Sequence, residues 1–246
     1  IQPAFMFMVG VAMPFAFAAR AARGEAWQAQ AVHAVRRAVM LVVIGVLLDH
    51  IGADRVQIGF IRVLQQIAFG YLVAFAVLDR ARSTQAMVAA AILVGYQVLW
   101  MTNPWNGPGG PWAQGVENIG GAFDRWLLGR NYSGYYVGMN AIPASVTIIA
   151  GVMAGQYVRV SRPAHRTSAT LAVAGLLGIG LGLTLGAWFP IIKRIWTPSF
   201  TVYAAGWTTL MLAACFWLIE ARGWRRWTFP LVVVGANSMA AYILGN

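Results

Sequence analysis

The side chains best suited to chemistry fall in a few short segments of this 246-residue chain. Lys193-Arg194-Ile195-Trp196-Thr197-Pro198-Ser199 brings together two cations, an aromatic ring and two hydroxyls. That set can hold a phosphate, a carboxylate or the face of a sugar, and it can equally anchor a lipid headgroup. Asp124-Arg125 places a carboxylate beside a guanidinium, a pair worth little if it lies in water. Asp49, His50, Asp54, Arg55 and Arg62 lead into Gln65-Gln66 at the junction of two apolar runs, where polar groups cost free energy unless something uses them. Asn237 lies among Val232, Val233, Val234, Met239 and Ala240, and is expected to be a buried polar anchor bonded to a neighbouring helix, not a catalyst.

None of these segments is a catalytic motif in itself. The sequence holds no nucleophile elbow, no phosphate-cradling glycine loop ending in Lys-Ser/Thr and no two-His metal pair. His33, His50 and His165 lack ligand spacing, so no metal is expected. Cys215, the one cysteine, lies in an apolar run; it excludes an intrachain disulfide and is expected to be a small core residue.

The elements that must position these residues follow from composition. Apolar residues make up 59% of the chain and charged residues 10%, whereas a soluble domain carries about 25% charged residues. Most of the surface therefore faces lipid. The net charge of +11 does not point to nucleic acid, because the arginines cluster between apolar runs and do not line one face. The fold class expected is all-α: a polytopic transmembrane bundle of about eight spans, read at 1–19, 29–48, 61–78, 85–101, 139–158, 167–188, 198–219 and 228–244, each near the ~20 residues that a crossing requires. His33, Arg36 and Arg37 share one face of the second span near an interface. Twelve basic residues fall on one side (Arg20, Arg23, Arg36, Arg37, Arg80, Arg82, Arg159, Arg162, Arg166, Arg222, Arg225, Arg226) and six on the other. The first side is expected to be cytoplasmic. The long connection at 102–138 is then external, and its Trp105, Trp112 and Trp126, with Trp100 at the end of the preceding span, read as an interfacial belt. Residues 1–246 form a single membrane domain in this reading, and the abrupt apolar start and finish suggest truncation at both ends.

Several segments, in order, carry a family resemblance. Phe5-Met6-Phe7-Met8-Val9-Gly10 with Pro14, Val63-Leu64-Gln65-Gln66-Ile67, Phe123-Asp124-Arg125-Trp126-Leu127-Leu128-Gly129, Ile142-Pro143-Ala144 through Gly155, Pro190 with Lys193, Trp196 and Ser199, and Gly235-Ala236-Asn237-Ser238 resemble the heparan-α-glucosaminide N-acetyltransferase family. The resemblance implies transfer of an acetyl group from cytoplasmic acetyl-CoA, the donor, to a sugar amine or hydroxyl on the outer side. It implies that Lys193, Trp196, Ser199, Asp124, Arg125 and Gln65 shape the substrate pocket, and that the catalytic His lies before Ile1, so that no catalytic residue falls within 1–246. It also implies an integral multi-pass protein of the bacterial inner membrane. The competing expectation is a non-catalytic accessory or structural subunit of a larger membrane complex using the same fold. The partners expected are the lipid bilayer and either a second copy of the chain or a larger membrane complex.

Overall fold

In the computed structural model, residues 2–49, 62–104, 106–107, 110–113, 117–132, 136–160 and 163–236 are described. They are helical, with no strand among them. In chain order the helices are α1 (Gln2–Ala22), α2 (Trp27–Asp49), α3 (Val63–Val77), α4 (Arg82–Thr102), α5 (Ile119–Leu128), α6 (Ala141–Arg159), α7 (Ala164–Gly186), α8 (Pro198–Phe216) and α9 (Phe229–Ala236). A single-turn 3₁₀ helix, Gly138–Asn140, leads into α6, and a π-helical turn, Trp217–Ala221, extends α8.

Among the described residues, six helices are long and apolar enough to cross a membrane: those within Gln2–Ala22, Trp27–Leu48, Arg82–Thr102, Gly138–Arg159, Ala164–Gly186 and Pro198–Ala221. Two of the eight expected spans differ. The third is α3, apolar but 15 residues long, about 22 Å at helical rise. The described part of the eighth is the eight-residue α9. Helix α5 lies in the long connection between α4 and α6, where the sequence alone predicts a loop.

Helix α6 is the hub, packing against α1, α3, α4 and α8. Glycines set its distance from α1: a Cβ on Gly10 would lie 3.0 Å from the Cα of Gly151, and a Cβ on Gly155 would lie 3.0 Å from the Cα of Val11. Backbone thus meets backbone, the close approach by which membrane helices gain van der Waals contact. The α7–α8 pair uses the same device, with Gly175, Gly178 and Gly182 facing Gly206 and Tyr203. Met6, Phe17, Leu41, Ile67, Tyr71 and Ile148 fill the core between α1, α2, α3 and α6. Large apolar side chains on the outer surfaces, such as Val173, Leu177, Met87 and Val94, are more than half exposed, as lipid-facing positions are.

The helices alternate in direction, which separates an Arg-rich end from an Arg-poor one. Arg20, Arg82 and Arg159 lie at the first end, where Arg159 Nη1 donates to the Pro14 carbonyl at 3.0 Å. Two expectations are corrected here. Cys215 is exposed on α8, facing outward from the bundle. Trp100 is fully buried, stacked on Trp112 with centroids 6.1 Å apart, and so is core and not belt. Trp126 is 79% exposed.

Candidate functional site

At the Arg-poor end, α3, α5 and the 3₁₀ entry to α6 enclose a cavity of about 310 Å³. Its walls are apolar, from Phe69, Phe123, Leu127, Met139 and Ile142, and two polar side chains reach it, Gln65 and Asp124. Helix α5 delivers Asp124. Its first turn is capped by Asn118, whose Oδ1 accepts from Gly121 N at 2.9 Å, and Gly129 ends it with φ 68°. Asp124 is 1% exposed, and both its carboxylate oxygens accept from Gly138 N at 3.0 Å. A Cβ at residue 138 would come 2.8 Å from Asp124 Oδ1, so a larger residue there would displace the carboxylate. Burial pushes the Asp124 carboxyl up to about 6, against the Gly138 N–H, which favours the charged form. A carboxyl so tuned exchanges its proton near neutral pH.

Gln65 complements it. Its Oε1 accepts from Arg62 N at 3.1 Å, closing the first turn of α3. That leaves Nε2 buried without a hydrogen-bond partner on a side chain 3% exposed. An unmet buried donor costs about 1–3 kcal/mol, which a ligand acceptor would offset. Gly45 of α2 makes room for this side chain, since a Cβ there would lie 2.9 Å from Gln65 Cγ.

Behind the cavity runs a chain of amides. Gln2 Nε2 donates to Gln66 Oε1 at 2.7 Å, Gln66 Nε2 to Asn140 Oδ1 at 2.8 Å, and Asn140 Nδ2 to the Arg194 carbonyl at 3.4 Å. Tyr96 Oη donates to the Ile195 carbonyl at 2.7 Å. These bonds fix α1, α3, α4, α6 and the 190–199 turn to one another. Low dielectric strengthens each bond and raises the cost of breaking any one of them.

The structure distributes the expected pocket residues among different roles. Gln65 and Asp124 meet in the cavity. Trp196 and Ser199 belong to the turn that seats α8: Ser199 Oγ donates to the Pro190 carbonyl at 3.0 Å, and Thr197 Oγ1 accepts from Ile192 N at 3.0 Å. Trp196 is fully buried at φ 54°, edge-on to Phe200 with centroids 5.2 Å apart. A bulky residue in that backbone region costs on the order of 1–3 kcal/mol, held in place by its surroundings. Lys193 is exposed. Arg125 is exposed too, its Nη1 donating to Asn131 Oδ1 at 3.1 Å, while Asn131 Nδ2 donates to the Gly121 carbonyl at 2.8 Å. Arg125 thereby fastens the loop that follows α5. Asn237, His50, Asp54 and Arg55 lie outside the described residues. Sequence reasoning missed Gly138 and Asn140. The one available signal was Asn140, a polar residue in the first turn of the apolar run read at 139–158.

A second cavity, of about 360 Å³, opens at the Arg-rich end between Phe17, Trp27, Gln30, Asp79, Gln156 and Arg159. Gln156 Nε2 donates to the Leu78 carbonyl at 2.8 Å there. The ends of α3 and α6 therefore border both cavities. No protein-family model matches the chain, and comparison with curated proteins found no match.

Proposed function

We propose that this protein is a membrane acyltransferase that moves an acetyl group from acetyl-CoA at its Arg-rich, cytoplasmic end to a sugar amine or hydroxyl at the other end. In this reading α3 and the run continuing from α9 also cross, giving eight spans in a bacterial inner membrane. The observation that carries it is the pairing of a neutral-range carboxyl with an unmet amide donor in the Arg-poor cavity. A sugar presents hydroxyls and an amine that can donate to Asp124 and accept from Gln65 Nε2, and its apolar face suits Phe69 and Phe123. Asp124 thus orients the acceptor through its own N–H or O–H. As that nitrogen or oxygen bonds to the acyl carbon, the C–S bond to coenzyme A breaks; the acceptor gives up its proton and the leaving thiolate takes one up, so coenzyme A departs as its thiol. The cavity at the opposite end supplies an aromatic ring, Trp27, and a guanidinium, Arg159, on the side where a charged donor that cannot cross the bilayer would arrive.

The test is acetyl transfer by the full-length protein in proteoliposomes, with acetyl-CoA at the Arg-rich face and a glucosamine-terminated acceptor at the other. Asp124→Asn should lower kcat/KM by about tenfold or more at neutral pH, a loss typical of one charge-assisted contact, while acetyl-CoA binding stays unchanged. If the wild type transfers nothing and instead purifies with further membrane subunits, the alternative reading, a non-catalytic member of a larger complex, replaces this one.

A further inference from the structure

Helix α2 carries two cations that the rest of the described structure does not neutralise. Glu25 is the carboxylate nearest to them in sequence, and it is shared by Arg20 Nη1 at 2.9 Å and Arg23 Nη2 at 3.0 Å. Among the described residues no carboxylate pairs with Arg36 or Arg37. Arg37 lies with its guanidinium 5.2 Å from the centre of the Tyr71 ring. Tyr71 stands six residues before the last residue of α3, Val77, which places it about 9 Å inside the end of that helix. The Arg37 charge is therefore held on that ring about 9 Å short of the end of α3, while Arg36 beside it is exposed and neither has a carboxylate among the described residues to balance it. Arg20 Nη2 lies 3.0 Å from His33 Nε2, one helical turn before Arg37 on α2.

The same two arginines border a groove of about 370 Å³ whose other walls are His33, Met40 and Leu41. Below Arg36, the residues at helical spacing on that face are Met40, Val43 and Leu47, which are 54%, 51% and 62% exposed. From Arg36 to Leu47 is 11 residues, about 16 Å along the axis. One leaflet of the hydrocarbon core is about 15 Å deep. A cationic head above an apolar track one leaflet long is complementary to an amphiphile with the opposite charge on its head.

We infer that this groove is a binding site for one anionic phospholipid of the leaflet at the Arg-rich end, with its phosphate between Arg36 and Arg37 and an acyl chain along Met40, Val43 and Leu47. Phosphate suits two adjacent guanidiniums because each offers paired N–H donors to its oxygens. The inference is independent of the proposed catalytic activity. It needs only that α2 lie in a bilayer.

The full chain in neutral detergent is titrated separately with phosphatidylglycerol, phosphatidylcholine and glycerol 3-phosphate, and bound species are counted by native mass spectrometry. One phosphatidylglycerol should be retained about tenfold or more tightly than phosphatidylcholine, and glycerol 3-phosphate should not displace it. The Arg36→Gln/Arg37→Gln variant should lose about thirtyfold in retention, the effect of removing two basic side chains from an anionic membrane surface. Met40→Trp, which keeps both charges and fills the groove, should lose the lipid as well. Arg166→Gln/Arg226→Gln, at the same end but outside the groove, should keep it. Equal retention of the two lipids overturns the site, and so does full retention by the Met40→Trp protein. Displacement by glycerol 3-phosphate alone would make it a phosphate site and not a lipid site. Should the double arginine variant fail to fold, the lipid preference of the wild type and the Met40→Trp result decide the matter.

Discussion

Asp124→Asn separates the cost of a buried charge from the bonds that hold it. The variant keeps an oxygen that can accept from Gly138 N and removes the titration. The wild-type carboxyl rises from 3.8 to about 6 on folding, and at about 1.4 kcal/mol per pH unit this amounts to about 3 kcal/mol. Its sign follows from proton binding. Between those two values the folded protein holds the proton and the unfolded chain does not, so stability is fully present below pH 4 and is lost as pH rises through 6. Water reaching the cavity screens the carboxylate, so about 3 kcal/mol is the ceiling. For a chain of 246 residues, each kcal/mol moves Tm by about 2–4 °C. Melting curves in detergent should therefore fall by about 5 °C more between pH 4.5 and pH 7.5 in the wild type than in Asp124→Asn. Infrared spectra should show a protonated-carboxyl stretch at pH 5 that vanishes by pH 7.5 and is missing from the variant. Parallel melting profiles, or a carboxyl that titrates near 4, would refute the assignment of Asp124 as a desolvated acid.

Two further outcomes test the frame around it. Gly206→Val should separate α7 from α8, because a Cβ already falls 2.8 Å from the Gly175 carbonyl oxygen. A loss of about 1–3 kcal/mol is expected from such overpacking, read as a lower Tm, whereas Gly180→Ala, which meets nothing within 4 Å, should leave it level or raise it. In a Cys215→Ser background, a membrane-impermeant maleimide added to right-side-out vesicles should label Arg125→Cys and spare Ala164→Cys. The reverse pattern would invert the proposed orientation.

The long helices were legible because a backbone in lipid has to satisfy its own hydrogen bonds, and runs of about 20 apolar residues allow little else. Helix α5 was not legible: at ten residues, opening Ile119-Gly120-Gly121, it is too short for periodicity to emerge and begins with residues that favour loops. The Asp124-Arg125 pair misled for a geometric reason. Neighbours on a helix point about 100° apart, so one side chain enters the cavity while the next faces outward, and adjacency in sequence is not pairing in space. Gln65 and Gln66 stand out in the sequence as polar residues in an apolar setting. Which of them is satisfied depends on partners 60 or more residues away, Gln2 and Asn140, and no local pattern encodes that. Trp196 shows the same limit from the backbone side, since nothing in its type signals a left-handed conformation.

The contact between Gly10 and Gly151 also has a consequence in time. The two glycines are 141 positions apart, so at about 5–20 residues per second a ribosome needs roughly 7–28 s to make α6 after α1. The Gly175–Gly206 contact, by contrast, joins helices adjacent in sequence and can form as soon as α8 is inserted. Throughout that interval α1 must wait in the bilayer or beside the insertion machinery, with the grooved face around Gly10 open and Gln2 lacking its partner Gln66 until α3 arrives. Biogenesis of this bundle is thus ordered by its glycines: an early helix is stored, a late one completes it, and the α7–α8 hairpin assembles on its own schedule.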